Sequence, residues 1–263
     1  MSAGIDERKT GGAILSHPVF GVTQRSTLQK RNWLAISTVL ATVLLLQALV
    51  VWAEVSPATL RVWGLEDGPF EYATALLYLV TGVLFVLFLR RSEFLRTHPT
   101  RWRYALTVTW AVVCFVIAGE EISWGQRILD LDTPEAWGAI NEQNELTLHN
   151  LTVIDQTFGG QHRLQSLMMF VIGLGMPLFA RLQVGARLLR SFALPVPPLR
   201  YISLFVGAYF FGRHYFPAIG NSALEVREFL MALGMLCFAL HGVLHPAALF
   251  RLKDEASEHG DPA

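Results

Sequence analysis

The chain has 263 residues, of which 52% are hydrophobic and 16% are charged, and its formal net charge is +0. This apolar composition, with a mean hydropathy of +0.40, is far from that of soluble domains and predicts an integral membrane protein. The balanced charge provides no basic surface for nucleic acid. Two cysteines, Cys114 and Cys237, lie in apolar runs and offer neither a disulfide framework nor a CxxC metal motif.

Six apolar segments follow one another along the chain. The first, from Asn32 to Ala53, has about 22 uncharged residues and would be roughly 33 Å long as a helix. That is enough to span a bilayer and too long for the core of a signal peptide. The third and fourth segments are short by about one turn, and the fifth is interrupted by Arg213, His214 and Pro217.

These segments predict an all-α fold, a polytopic membrane protein with a bundle of six transmembrane helices. The bundle would occupy residues 33–250, between a flexible cytoplasmic tail of residues 1–32 and a disordered cytoplasmic tail of residues 251–263. The predicted spans are about residues 33–53, 70–90, 104–121, 163–181, 201–219 and 227–250.

Charge predicts the orientation of the bundle. With six spans and an inner N-terminus, the cytoplasmic segments carry roughly 16 of the 21 basic residues and 7 of the 21 acidic residues, as the positive-inside rule requires. Most acidic residues therefore fall on the extracytoplasmic side. We predict that both termini are cytoplasmic and that the long segment between the third and fourth spans lies outside.

Two adjacent acids, Glu120 and Glu121, follow the third apolar run within the sequence GEEISWGQR at 119–127. If the helix continues past the hydrocarbon, Glu120, Trp124 and Arg127 share one face. One interpretation is an ion pair between Arg127 and an acid, with Trp124 as an interfacial anchor. The alternative is a carboxylate pair in a low-dielectric recess, where repulsion raises one pKa and creates one acid and one base.

A short helix is predicted in the outer loop. Thr133 would be its N-cap and Pro134 its first helical residue. If the helix continues through residues 141–150, Glu145 and His149 lie one turn apart and can share a metal ion or form a charged pair. The sequence leaves open whether a divalent metal is bound; the candidate ligands are Glu121, Glu145 and His149.

Other charged residues are expected near the same outer side. Glu71 and Glu228 begin the second and sixth spans, which run in the same direction and so do not form the inverted repeat of many transporters. Arg213 and His214 lie roughly 18 Å into the fifth span, where Arg213 would snorkel, pair with an acid or bind an anionic headgroup. The pair His241 and His245 is expected near the cytoplasmic side, away from the acids.

We expect one outer recess that gathers these groups. The candidate catalytic residues are Glu120, Glu121, Glu145 and His149. The candidate substrate-binding residues are Trp124, Gln126, Arg127, Arg213, His214, Glu71 and Glu228.

Three classes of function fit this recess. A membrane-embedded enzyme acting on a lipid-like substrate at the outer leaflet would use the acids as general acid and base or as metal ligands. A proton- or cation-coupled transporter of small molecules would use them as ion sites. In a structural or partner-binding membrane subunit, the acids would be neither catalytic groups nor ion sites. The sequence specifies no oligomeric state.

Several short sequence motifs in the chain resemble motifs of other proteins. The sequence GEEISWGQRI at 119–128, Thr-Pro-Glu at 133–135, NExxLHN at 144–150 and Glu-Asp-Gly at 66–68 resemble those of a group of bacterial multi-pass membrane proteins of uncharacterised function. The resemblance covers the middle third of the chain. It implies about six helices in a bacterial inner membrane, and it implies no reaction.

Overall fold

The computed structural model describes residues 20–97, 101–158, 161–192 and 194–246. The predicted tail at 251–263 and most of the predicted tail at 1–32 lie outside these residues, although the first helix already begins at Phe20. The chain divides within this helix into two compact units, residues 1–37 and 38–263. In the first unit, the described residues form the N-terminal part of this helix. The packing and the sites described below belong to the second unit.

The described residues are helical apart from turns, loops and one isolated β-bridge between Asn141 and Leu151. The prediction of an all-α fold is therefore confirmed. A π-helical segment, Phe170–Gly175, joins α8 to α9. The helices are α1 (Phe20–Val55), α2 (Pro57–Trp63), α3 (Pro69–Arg91), α4 (Glu93–Thr97), α5 (Arg101–Glu121), α6 (Glu135–Gly138), α7 (Thr152–Phe158), α8 (Gln161–Met169), α9 (Met176–Phe179), α10 (Gln183–Ser191), α11 (Ile202–Ile219) and α12 (Ser222–Leu244).

The core lies around α12, which packs against α3 on one side and α11 on another, while α5 packs on α3. Phe85 of α3, Phe205 of α11 and Phe238 of α12 are fully buried there. Buried residues recur along most of α12, as expected for a helix that is apolar nearly all round and surrounded by other helices.

Three described helices are long and apolar enough to cross a membrane: Ala35–Val55, Pro69–Arg91 and Arg101–Glu121. A fourth candidate is the pair Arg163–Phe179 and Gln183–Ser191, which is bent by 113°. The helical segment Arg163–Phe179 matches the fourth predicted span, 163–181, within two residues, and the chain then turns sharply into α10. Helices α11 and α12 overlap the last two predicted spans but are not among these candidates, so the total of six stays a prediction.

Antiparallel neighbours bring several helix ends together. The start of α3, the end of α5 and the start of α12 lie at one end of the bundle, which we call the site end. Helix α2 packs on α11 and α12 at this end, where Ser222 Oγ donates a hydrogen bond to the carbonyl oxygen of Arg61 at 3.0 Å. The packing of the helices therefore brings together the acidic residues that lie just before or just after the apolar segments.

Candidate functional site

A cavity of about 90 Å³ opens at the site end, and we call it the carboxylate cavity. Among the described residues, its wall contains seven glutamates, one arginine and one histidine. A cavity of this size has room for more than one water molecule. The charged and imidazole residues that line it are Glu66, Glu71, Glu120, Glu121, Glu145, Glu225, Glu228, Arg127 and His149.

Three of these carboxylates form a tight cluster. Glu121 ends α5, while Glu225 and Glu228 lie one turn apart on α12, and one carboxylate oxygen from each lies within 4.8 Å of the other two. Within the described part of the chain, no protein group donates a hydrogen bond to the carboxylate of Glu121 or Glu225. Glu228 lies 3.5 Å from Arg227 Nη2. Repulsion within this cluster must be offset by protons or by a bound cation.

Glu120 accepts hydrogen bonds that join α5 to the loop carrying His149. Its Oε2 accepts from the backbone N–H of Leu148 at 2.7 Å and of His149 at 2.9 Å, and it lies 3.1 Å from His149 Nδ1. Its Oε1 accepts from Trp124 Nε1 at 2.6 Å. Glu120 is only 6% exposed, so it positions the imidazole of His149 at the cavity wall.

Helix α5 ends at Glu121 because the chain enters left-handed backbone conformations. Ser123, Trp124 and Gly125 have φ values of 46°, 54° and 77°, which an α-helix cannot contain. The prediction that the helix continues and places Glu120 and Arg127 on one face is therefore wrong. Gly119 permits the turn, because a Cβ atom there would lie 2.8 Å from the ring of Trp124.

Arg127 joins the turn before α3 to the loop of residues 139–151, between α6 and α7. Its guanidinium donates hydrogen bonds to Asp67 and Glu145 and lies 3.8 Å from Glu66 Oε2. Burial lowers the pKa of Arg127, but the hydrogen bond to Asp67 and the negative charge of Glu145 outweigh it and raise this pKa above its ordinary value. Glu145 also accepts from Ser123 Oγ at 2.8 Å, so both of its oxygens have protein donors.

The predicted loop helix is present but short, and it does not continue through residues 141–150. Helix α6 covers only Glu135–Gly138, and Asn141 organises the residues that follow. Asn141 Oδ1 accepts from the N–H of Gln143 and of Glu145, both at 3.1 Å, and its Nδ2 donates to the Thr147 carbonyl oxygen at 2.8 Å. This Asx arrangement competes with helical hydrogen bonding, so Glu145 and His149 are not a helical i, i+4 pair.

Thr133 is not an N-cap either. Its hydroxyl donates to the Asn144 carbonyl oxygen at 2.5 Å and accepts from Gln126 Nε2 at 2.6 Å, and no side chain caps α6. Gln126 Oε1 accepts from the N–H of Leu146 at 2.7 Å. Helix α6 begins at Glu135, one residue after the predicted first helical residue Pro134, and Gln126 joins Thr133 to Leu146 across the loop.

Most predicted site residues meet at the carboxylate cavity, and four do not. Gln126 is buried and bonded to the loop, and Trp124 is 48% exposed with its indole directed to Glu120. Arg213 and His214 are exposed on α11, outside the lining. The predicted site residues that line the cavity are Glu71, Glu120, Glu121, Arg127, Glu145, His149 and Glu228.

The three predicted metal ligands, Glu121, Glu145 and His149, do not form one cluster in the structure. Glu121 belongs to the three-carboxylate cluster, whereas Glu145 is bonded to Ser123 and Arg127, and His149 to Glu120. Glu225, the third member of this cluster, was not among the predicted site residues. The available signal was its spacing of three residues from Glu228, which places both acids on one face of a helix.

His241 lies at the opposite end of α12. It is buried, and its Nδ1 is 2.7 Å from Arg200 Nη2. The ring centroids of His241 and His245 are 5.0 Å apart. The two histidines therefore do not join the carboxylate cavity, as predicted.

Comparison of the chain with protein-family models, with curated proteins and with solved structures finds no match. The geometry of the carboxylate cavity is therefore the basis for the function proposed below.

Proposed function

We propose that the protein is a membrane-embedded enzyme that binds a divalent cation and acts on a lipid-like substrate at the outer leaflet. The observation that carries this proposal is the cluster of Glu121, Glu225 and Glu228 at the ends of apolar helices. Two of these carboxylates have no donor among the described residues, so protons or a cation must offset their charge, and we infer a cation because the three oxygens are spaced as its ligands would be.

The spacing of the cluster suits a hard cation. Carboxylate oxygens bind Mg²⁺, Mn²⁺ or Ca²⁺ at about 2.0–2.6 Å, so oxygens on opposite sides of the ion are about 4–5 Å apart. The oxygens of the cluster lie within 4.8 Å of one another. An all-carboxylate set favours these ions over zinc, which prefers nitrogen and sulfur ligands. Glu225 and Glu228 replace Glu145 and His149 in the proposed ligand set.

The remaining residues of the cavity supply proton transfer and positioning. The contact of Glu120 with His149 Nδ1 orients the imidazole, as carboxylates orient catalytic histidines elsewhere. We assign His149 the role of general base or acid on a water or substrate group in the cavity. Glu120 and Glu145 then act by holding His149 and Arg127 in place, while a bound cation would polarise a substrate oxygen or water.

A lipid-like substrate fits the surroundings of the cavity. The polar cavity lies at the ends of helices that are apolar enough to cross a membrane, so it would lie at the depth where headgroup and acyl chain meet. The loop beside it exposes large apolar side chains, including Ile128, Leu129 and Leu148. Such a rim favours contact with the bilayer surface.

The placement in the cell is part of the proposal. The asymmetry of basic residues supports six spans with both termini cytoplasmic and the cavity on the extracytoplasmic side. The resemblance of the GEEISWGQR region to bacterial multi-pass proteins supports a bacterial inner membrane.

A proton- or cation-coupled transporter is the second candidate. The unpaired carboxylates of Glu121 and Glu225 would serve equally well as carriers of an ion. The position of the cavity at helix ends disfavours this candidate, because transporter sites usually lie near the membrane midplane.

Cation binding can be tested directly. Purified protein in detergent is titrated with Mn²⁺ by calorimetry, and we expect Glu225→Gln to weaken binding by about tenfold or more, because one ligand charge is lost. Affinity should also rise with pH, since protons compete with the ion for the carboxylates. Glu142→Gln, an exposed acid outside the cavity, is the matched control. Equal binding by wild type and Glu225→Gln would end the proposal of a metal site.

The reaction is tested in the native host. Lipids extracted from cells with wild type, Glu121→Gln and the Glu142→Gln control are compared by mass spectrometry. The enzyme proposal predicts a lipid species that accumulates only with Glu121→Gln. Unchanged lipids together with lost ion-driven uptake in vesicles would favour the transporter, and no change in either would favour a structural subunit.

A further inference from the structure

A second hollow, of about 460 Å³, lies between α8, α11 and α12 and does not belong to the carboxylate cavity. Three arginines meet at its wall: Arg163, Arg213 and Arg227. None of the described residues that line it is acidic. We call it the arginine hollow. Its wall is therefore opposite in charge to that of the carboxylate cavity.

The three arginines differ in how they are held. Arg227 is 7% exposed, and its Nη2 donates to Gln165 Oε1 at 2.8 Å and lies 3.5 Å from Glu228. Arg163 and Arg213 are exposed, and in the described ranges neither has a carboxylate partner. One guanidinium is thus preoriented inside the protein, and two are available to a ligand.

The arginine hollow lies less than two helical turns from the site end, which is near the depth of lipid headgroups if α11 and α12 span a membrane. Arg213 precedes the end of α11 by six residues, or roughly 9 Å, and Arg227 follows the start of α12 by five residues, or roughly 8 Å. These helix ends lie at the site end of the bundle. Charged side chains at this depth are costly unless they bind a partner of opposite charge or reach the interface.

The rest of the wall is apolar and aromatic. Phe216 and Leu224 line the hollow beside the guanidinium groups. Tyr209 lies at the wall as well, with its ring centroid 4.7 Å from that of Phe170. A ligand that fits both parts carries a negative charge at one end and hydrocarbon at the other. Guanidinium groups favour phosphate in particular, because they donate two parallel hydrogen bonds to it.

We propose that the arginine hollow binds the phosphate group of an anionic lipid. The shared chemistry is a phosphate held by several guanidinium groups, and the lipid is its source because the apolar wall accommodates an acyl chain. The hollow adjoins the carboxylate cavity across α12, where Arg227 lines one and Glu228 lines the other. This site does not depend on the proposed enzyme activity.

Native mass spectrometry of the purified full-length protein tests the proposal. Dioleoylphosphatidylglycerol is titrated against dioleoylglycerol, which lacks the phosphate, and inorganic phosphate is added as a competitor. We expect phosphatidylglycerol to bind at least about tenfold more tightly than dioleoylglycerol, because the guanidinium contacts are charge-assisted. Inorganic phosphate at the same concentration should not displace it.

The variants identify the site. Arg213→Gln should weaken phosphatidylglycerol binding by about tenfold, and Arg213→Lys should restore part of it. Arg90→Gln removes an exposed charge at the opposite end of α3. It should change phosphatidylglycerol binding little, and it controls for general electrostatic attraction.

Equal losses of binding in Arg213→Gln and Arg90→Gln, or equal binding of the two lipids, would overturn the proposal. Displacement of phosphatidylglycerol by inorganic phosphate would show that the hollow binds free phosphate and not a lipid headgroup. Mn²⁺ binding should be unchanged in Arg213→Gln, which separates this site from the carboxylate cavity.

Discussion

At the residue scale, Glu120 and Glu121 show how adjacent acids take different roles. Glu120 points to the loop and accepts hydrogen bonds from Trp124, Leu148 and His149. Glu121 points to α12 and meets two other carboxylates. The helix separates neighbouring side chains by about 100°, so one acid holds the loop and the other is left for a ligand.

We predict that Glu120→Ala destabilises the protein by roughly 3 kcal/mol, about 1 kcal/mol for each of three hydrogen bonds whose donor loses its acceptor. Thermal unfolding in detergent, followed by circular dichroism, measures the loss. Glu142→Ala removes an exposed acid from the same region and should have almost no effect. If both variants unfold at the wild-type temperature, Glu120 does not hold the loop.

At the element scale, the site end is a set of loops pinned to helix ends by polar side chains. Arg127 bonds to Asp67 in the turn before α3 and to Glu145 in the outer loop. Asn141 and Gln126 hold the rest of that loop through backbone groups. The loop therefore depends on a few side-chain contacts, which are weaker in water than apolar burial.

We predict that Arg127→Gln loosens this loop. The guanidinium is 33% exposed in its ion pairs, so we expect about 1 kcal/mol, or about fivefold faster amide hydrogen exchange at residues 141–149. Mass spectrometry of deuterated peptides measures the rate. Arg90→Gln, far from the loop, is the control, and an exchange rate at 141–149 that is the same in both variants would contradict the role given to Arg127.

At the scale of the whole molecule, a bundle of apolar helices places opposite charges in two neighbouring recesses at one end. The carboxylate cavity and the arginine hollow meet at α12, whose residues 224–228 contribute to both. In the proposed function, the orientation of this end in the membrane would decide which compartment supplies the cation and the substrate.

We predict that the site end is extracytoplasmic. In a variant with Cys114 and Cys237 replaced by alanine, Glu142→Cys should react in intact cells with a maleimide that does not cross membranes, because its side chain is exposed in the outer loop. Arg96→Cys, in α4 beyond the opposite end of α3, should react only after the cells are lysed. The reverse labelling pattern would place the cavity in the cytoplasm and remove the outer-leaflet part of the proposed function.

The sequence by itself determined the helical class, the candidate spans and most of the acids that meet in the cavity. Hydrocarbon length and apolar composition control where helices form, so Pro69–Arg91 and Arg101–Glu121 were predictable within a few residues. Glu71, Glu121 and Glu228 were identifiable because charge at the end of an apolar run is costly without a function.

Only the tertiary structure decided how these groups pair. The left-handed turn at Ser123–Gly125 ended α5, and the hydrogen bonds of Asn141 kept the loop helix from continuing through residues 141–150, because local polar contacts outweighed helical periodicity. Glu225 joined Glu121 because α5 and α12 both pack on α3, and Arg213 turned toward a different recess from the acids. Contacts between residues far apart in the chain depend on helix packing, which periodicity within a single segment does not encode.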